Sequence, residues 1–156
     1  MPDLQFVHDH SLPHLSSLCL SCVSLSGAVA VRALCGCTQL TSLELYGVDV
    51  VCSDLSAVLL CMSQLASLML CELHQLESLG FLSAGRLGQT LTELKLWNCA
   101  DSSQRPYQWA DLHPLRQLRE LTLMRAPMET LDAATLAQYQ PPSALLPALV
   151  EFRYYG

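Results

Sequence analysis

Two groups of residues near the N-terminus carry side chains that could bind a metal ion or take part in acid–base catalysis. One is His8-Asp9-His10 with His14, and the other is Cys19-x-x-Cys22 followed by Cys35-x-Cys37. Paired cysteines suggest zinc, whose tetrahedral sites need four ligands that converge on one point. Acid–base chemistry would need a histidine within reach of a serine or a carboxylate. Both possibilities therefore depend on the elements that carry these side chains.

Six strings of the form L-x-x-L-x-L define those elements; the last one has Phe152 and Tyr154 at its second and third apolar positions. Successive strings start 25, 25, 26, 27 and 31 residues apart, at Leu15, Leu40, Leu65, Leu91, Leu118 and Leu149. Six copies in register at this period are typical of repeat architectures. The end of each string predicts a short strand, whose fourth and sixth residues point to one side and whose third, fifth and seventh residues point to the other.

The segments between the strings predict crossovers that make the strands parallel. Leu55, Val58, Leu59 and Met62 recur at helical spacing, with Ser53 as the expected N-cap. The same spacing recurs in the preceding crossover, at Ala30, Ala33, Leu34 and Cys37. Further helices are expected over 75–84 and after Thr130, with a short helix or 3₁₀ turn over 109–112. A column three residues before each string is expected to line the core, at Leu12, Cys37, Met62, Gly88, Leu115 and Leu146.

Composition limits the classes of partner and compartment. The net charge of −6 and the single lysine, Lys95, argue against nucleic acid and against an anionic membrane surface as partners. No apolar run reaches the roughly 18 residues of a membrane span, and the N-terminus does not read as a signal peptide. Most of the eight cysteines fall on positions of the strings and crossovers, as small apolar fillers. We therefore expect a reducing, cytoplasmic environment.

The same arrangement weakens the two chemical possibilities. Cys19 faces the side away from the leucines, Cys22 lies beyond the strand, and Cys35 and Cys37 belong to the helical side, so these thiols should not converge on one ion. The chain has no phosphate-binding, dinucleotide-binding, zinc-protease or serine-hydrolase motif, and His113 precedes a proline in an expected turn. The sequence favours a protein without a metal, a cofactor or catalysis.

The residues at the outward strand positions predict a different kind of site. The seventh position of the strings holds four large, adaptable side chains that the core does not need, and aromatic residues are enriched at interaction hot spots. We predict a protein-binding strip of Tyr46, Trp97, Met124 and Tyr155, flanked by Glu44, Glu93, Lys95, Glu120 and Arg153. The alternative is that these side chains cover the sheet without binding a specific partner.

Over residues 12–156 the chain resembles the leucine-rich repeat superfamily, with 1–14 as a partial repeat or cap and 15–156 as the repeat domain. The period is similar to that of the cysteine-containing repeats of F-box substrate receptors. At the ninth position, where that subclass has cysteine, this chain has Val23, Val48, Leu73, Cys99 and Ala126. The resemblance implies an α/β solenoid, a horseshoe segment of about six repeats with a parallel sheet on the concave side and helices on the convex side.

The resemblance also implies a non-catalytic module that binds a protein on its concave sheet face, as in substrate recognition for a ubiquitin ligase. The alternative is a permanent structural subunit of a large assembly. The last string has no following element to cover its edge, so further repeats or a partner are expected there, because unpaired strand edges invite association.

Overall fold

The computed structural model of this protein describes residues 14–99, 107–125 and 146–155. Within them the chain forms an α/β structure with one open sheet of six parallel strands in sequence order. Each strand is five residues long: β1 Ser17–Ser21, β2 Ser42–Tyr46, β3 Ser67–Cys71, β4 Glu93–Trp97, β5 Glu120–Met124 and β6 Glu151–Tyr155. The expectations for the first 13 residues and for the helix after Thr130 lie outside the described residues.

The register of the sheet follows the leucine strings. Leu18 pairs with Leu43, and the pairing continues through each next strand to Leu121 with Phe152. On the inner strands the fourth and sixth residues of the strings are at most 1% exposed. On the two outer strands Leu18 and Phe152 are half-buried. The predicted alignment of six strands is confirmed, and its leucines form one core because neighbouring strands repeat the same apolar positions at the same level.

The first two complete crossovers are regular helices, as predicted. Helix α1 spans Ala28–Cys35 and helix α2 spans Cys52–Cys61, and both place their buried residues in the same core cluster as the strand leucines. The prediction of Ser53 as N-cap was wrong, because α2 begins after Val51 and Ser53 lies inside it. The acidic residue of its first turn serves the neighbouring helix instead: Asp54 Oδ2 accepts a hydrogen bond of 3.0 Å from the Gly27 backbone N–H, just before α1.

The third crossover contradicts the predicted helix over 75–84. The chain instead forms a 3₁₀ helix at Gly80–Ser83 and a single α-turn, α3, at Leu87–Thr90. The buried leucines of this stretch explain the error, because they recur every third residue: Leu73, Leu76, Leu79 and Leu82 are each 0% exposed. A 3.6-residue helix would rotate such a series away from the core, whereas a more extended path keeps all four facing it. The fourth crossover is the expected 3₁₀ turn, at Trp109–Leu112.

The column before the strings lines the core, with one informative exception. Cys37, Met62, Leu115 and Leu146 are at most 3% exposed. At Gly88 a Cβ would lie 2.3 Å from the carbonyl oxygen of Pro114. Glycine is required there because the backbone of the next crossover already occupies the space.

Candidate functional site

The sheet face opposite the core, here called the open face, carries the third, fifth and seventh residues of each string. These positions form three rows in register across β1–β6. The third row is Ser17, Ser42, Ser67, Glu93, Glu120 and Glu151; the fifth row is Cys19, Glu44, Met69, Lys95, Thr122 and Arg153; and the seventh row is Ser21, Tyr46, Cys71, Trp97, Met124 and Tyr155. All nine residues that the sequence proposed for binding therefore lie on one face.

The strands end at the same level because of one repeated backbone feature. The residue after each of the first five strands has positive φ, between 47° and 56°, and these residues are Cys22, Gly47, Glu72, Asn98 and Arg125. Each backbone N–H then donates to the carbonyl of the seventh residue on the next strand, over 2.8–2.9 Å. Only glycine adopts this backbone region without cost, and asparagine tolerates it better than most residues. The turn places the seventh row along one edge of the open face.

The seventh row changes in exposure from one strand to the next. Trp97 is 42% and Tyr155 is 49% exposed, and half-buried Met124 lies between them on β5. Cys71 is only 7% exposed, between Tyr46 and Trp97. The row therefore offers an apolar surface over β4–β6, and Cys71 contributes little to it.

Charges on β4 and β6 are compensated within each strand. Glu93 forms an ion pair with Lys95 and accepts a hydrogen bond of 2.7 Å from Ser67 Oγ. Lys95, and then Ser67, hold the pKa of Glu93 below its usual value. On β6 the Arg153 Nε donates to Glu151 Oε1 over 2.6 Å, and this contact raises the pKa of Arg153. These strands present polar but nearly neutral surfaces beside the seventh row.

On β5, Glu120 lies between the other two glutamates of the third row. Its register partners are Glu93 and Glu151, and like charges directly opposite each other are destabilising. No side-chain hydrogen bond or ion pair reaches Glu120 from the described residues. It is the least compensated carboxylate of this half of the open face.

On β2 and β3 a small cluster of hydrogen-bonded side chains includes Tyr46, the aromatic residue that β2 contributes to the seventh row. The Tyr46 hydroxyl donates to Glu44 Oε2 over 3.2 Å and lies 3.1 Å from Met69 Sδ. Partial desolvation, and then the charge of Glu44, raise the pKa of Tyr46. The two contacts of the hydroxyl orient the Tyr46 ring along the sheet edge.

A cavity beside this cluster was missed by the sequence reasoning. The loops after β2 and β3 border an open depression of about 190 Å³, lined by Gly47, Val48, Asp49, Glu72, His74 and Gln75. Gln75 Nε2 donates to Asp49 Oδ1 over 2.6 Å and joins the two loops. We call this space the loop cavity. The available sequence signal was the lack of lysine and arginine between Arg32 and Arg86, which leaves the local carboxylates without basic neighbours along the chain.

Two of the cysteines differ from the small apolar fillers that the sequence predicted. Cys37, Cys71 and Cys99 are buried, as expected of fillers, and burial raises the pKa of Cys99 to about 11. Cys35 and Cys61, in contrast, form a disulfide between the C-terminal ends of α1 and α2, with their Cα atoms 5.1 Å apart. Sequence reasoning had treated both as ordinary positions of the helical side. The two helices approach closely enough to pair them only because the strands beneath are neighbours.

The N-terminal cysteines and histidines that suggested a metal or catalytic site do not come together as one within the described part of the chain. Cys19 and Cys22 are exposed thiols, Cys37 is buried, and Cys35 is bonded to Cys61. No three His, Cys, Asp or Glu side chains among the described residues are arranged to hold a metal ion. The His8-Asp9-His10 stretch lies outside these residues, and His113 contacts Arg116 Nη2 at 2.8 Å.

Among the helices that the structure describes, none has both the length and the apolar character needed to cross a membrane. No protein-family model matches this chain, and no curated protein matches it in sequence at a significant level. What the open face can bind therefore follows from its own geometry, exposure and charge.

Proposed function

We propose that this protein is a non-catalytic recognition module of the leucine-rich repeat type, a solenoid whose open sheet face binds another protein. The observation that carries the proposal is the surface formed by Trp97, Met124 and Tyr155. Two aromatic side chains, 42% and 49% exposed, lie two strands apart with a flexible methionine between them. Aromatic residues and methionine are enriched at protein interfaces, and tryptophan and tyrosine dominate hot spots.

The surroundings of this surface also support protein recognition. Glu93–Lys95 and Glu151–Arg153 provide paired charges beside it, and the unpaired Glu120 lies in the same row. An apolar centre with a polar, solvent-accessible rim is typical of protein interfaces. Backbone pairing on both sides of β4 and β5 holds the strands in place, so little order would be lost on binding.

Two observations bear on the kind of assembly. A free open face suits an exchangeable substrate receptor, such as one serving a ubiquitin ligase. A permanent scaffold is the second candidate, because Val150 is 76% and Tyr154 is 48% exposed on the β6 side of the sheet. Size-exclusion chromatography with light scattering separates the two: the receptor is a monomer at micromolar concentration, and the scaffold subunit associates through β6.

A cytoplasmic, reducing compartment is part of this proposal, and the Cys35–Cys61 pair provides its test. Cys71 pairs with Trp97 in the sheet, and Cys99 lies in the loop that follows Trp97. Both are buried free thiols. In such a compartment the Cys35–Cys61 disulfide of the structure would be reduced to two neighbouring thiols, so rapid thiol trapping in intact cells should find both free. A trapped disulfide between them would place the protein in an oxidising compartment instead.

The binding proposal is tested with the double substitution Trp97→Ala/Tyr155→Ala. Affinity capture with quantitative mass spectrometry should show at least a roughly ten-fold loss of specific partners, because truncated hot-spot residues cost on the order of 2 kcal/mol. The matched control is Val29→Ala/Leu60→Ala, which removes similarly exposed apolar side chains from α1 and α2 and should leave capture unchanged. Equal capture by wild type and the Trp97/Tyr155 variant, both shown to be folded by circular dichroism, would refute the proposal.

A further inference from the structure

The edge of the open face at which the strands end is electrostatically uneven along the sheet. On β2 and β3 and in the loops that follow them, this edge carries Glu44, Asp49 and Glu72, and the chain has no lysine or arginine between Arg32 and Arg86. The strands β4 and β6 instead pair their charges internally. A partner that lies along this edge therefore meets, at the β2–β3 end, three carboxylates without a basic partner among the described residues and, apart from Glu120, paired charges and an apolar surface at the other end.

The loop cavity, which is open to solvent, is where two of these carboxylates lie close together. Asp49 and Glu72 face it from the two loops, and the Gln75–Asp49 hydrogen bond uses only Oδ1 of Asp49. Within the described part of the chain, Asp49 Oδ2 and the Glu72 carboxylate make no hydrogen bond or ion pair. His74 is the one ring that lines the cavity, and Tyr46 immediately precedes its first residue, Gly47.

The size of the loop cavity suits one side chain of a larger partner. At about 190 Å³ it is smaller than the roughly 300–1,000 Å³ pockets that enclose whole small-molecule ligands. Two carboxylates with free oxygens are complementary to an ammonium or guanidinium group, which provides only donors. The cavity thus fits the end of a lysine or arginine side chain.

The distance to the apolar surface sets the spacing of the partner's residues. The cavity lies between the ends of β2 and β3, and the Trp97–Met124 pair lies between the ends of β4 and β5. Two strand spacings separate these points, on the order of 10 Å, and about three residues of extended chain cover that distance.

We infer that the open face binds an extended segment of a partner protein that places a lysine or arginine side chain in the loop cavity and an apolar side chain, about three residues away, on Trp97 and Met124. Charge complementarity at one end and apolar contact at the other fix the direction in which the segment crosses the strands. This inference rests on the proposed function, since it specifies the partner of the same surface.

The experiment is a selection of random peptides displayed on phage against the whole protein, after which each enriched peptide is measured for binding to wild type and to the Trp97→Ala/Tyr155→Ala variant. We expect enrichment of lysine or arginine about three positions from a leucine or an aromatic residue. The Glu72→Gln substitution should weaken the selected peptides about five-fold, as an exposed ion pair of up to about 1 kcal/mol predicts, and added salt should weaken them too. Glu77→Gln is the matched control, because Glu77 is exposed but does not line the cavity.

The outcomes separate this inference from the proposed function. Peptides that need Trp97 and Tyr155 but show no basic preference, or that bind the Glu72→Gln variant as well as wild type, would overturn the cationic partner and leave the binding face intact. Enriched peptides that bind equally well without Trp97 and Tyr155 would overturn the proposed function, and this inference with it. A basic-to-apolar spacing together with sensitivity to Glu72→Gln supports both.

Discussion

The region around β2 and β3 and the region around β4–β6 build the same sheet by different means. Helices α1 and α2, of eight and ten residues, lie behind the first region and are joined by the Cys35–Cys61 disulfide. Behind β4 and β5 the described chain has only a one-turn α-helix and two four-residue 3₁₀ helices. Strand length and pairing register are nevertheless identical in both.

This difference shows that the strands do not depend on the type of crossover. What both regions share is a buried side chain or backbone segment three residues before the string, such as Met62 in one and Leu115 in the other. The crossover needs only to deliver that contact and to return the chain to the start of the next strand.

The open faces of the two regions differ in another way. The third row is serine over β1–β3 and glutamate over β4–β6, and the basic residues of the open face, Lys95 and Arg153, occur only in the second region. None of these side chains takes part in the core. The open face can therefore vary in chemistry without changing the sheet, which is why we look there for function.

The strongest challenge to this comparison is to remove one core leucine from each region. Leu45→Ala on β2 and Leu96→Ala on β4 each truncate a side chain that is 0% exposed. Each should lower the free energy of unfolding by about 2–5 kcal/mol, through lost burial and the cavity left behind, as measured by urea denaturation. Thr122→Ala, on the open face, is the control and should cost little. A loss below about 1 kcal/mol for Leu96→Ala alone would mean that the region without long helices is not packed as described.

A second test addresses the contact that replaces a long helix in the β4–β6 region. Gly88→Ala places a methyl group against the Pro114 carbonyl and should cost about 1–3 kcal/mol, as overpacking does. Amide exchange should also speed up at Arg116, whose N–H donates to the Gly88 carbonyl over 3.1 Å. Gly80→Ala is the control, since its Cβ would meet only Ser78 Oγ at 3.4 Å. Similar stability for the two variants would show that the two crossovers do not pack tightly.

The smallest expected effect concerns the positive-φ turn that both regions share. Gly47 has φ of 56°, and only Cys22 Sγ, at 3.8 Å, lies near its Cβ position, so Gly47→Ala tests backbone strain rather than space. It should lower the midpoint of thermal unfolding by an amount equivalent to about 1 kcal/mol. Gly47→Asn should cost less, because asparagine already occupies the equivalent position 98 in the other region. If both substitutions cost the same, strain in this turn is not the cause.

Much of the architecture was predictable because its causes are local in sequence. The alternation within each string determines which residues of β1–β6 face the core, and the constant period brings like residues into register. The same reasoning identified the open face and its nine candidate residues, since a side chain not needed by the core can be recognised from its position in the string. It failed in the third crossover, where the helix predicted over 75–84 is replaced by a 3₁₀ helix and a separate α-turn.

Tertiary structure alone decided how neighbouring crossovers touch and what lies between their loops. The glycine at position 88 is explained by the carbonyl of Pro114, 26 residues away. The pairing of Cys35 with Cys61 requires two neighbouring helices. The loop cavity exists because Asp49 and Gln75, from successive loops, meet across the sheet edge. Each of these three pairs is 26 residues apart, about one period of the strings, so the sequence predicts which segments are neighbours. Which of their atoms touch depends on how crossovers and loops pack, and so the sequence determined the sheet while that packing determined the candidate binding cavity.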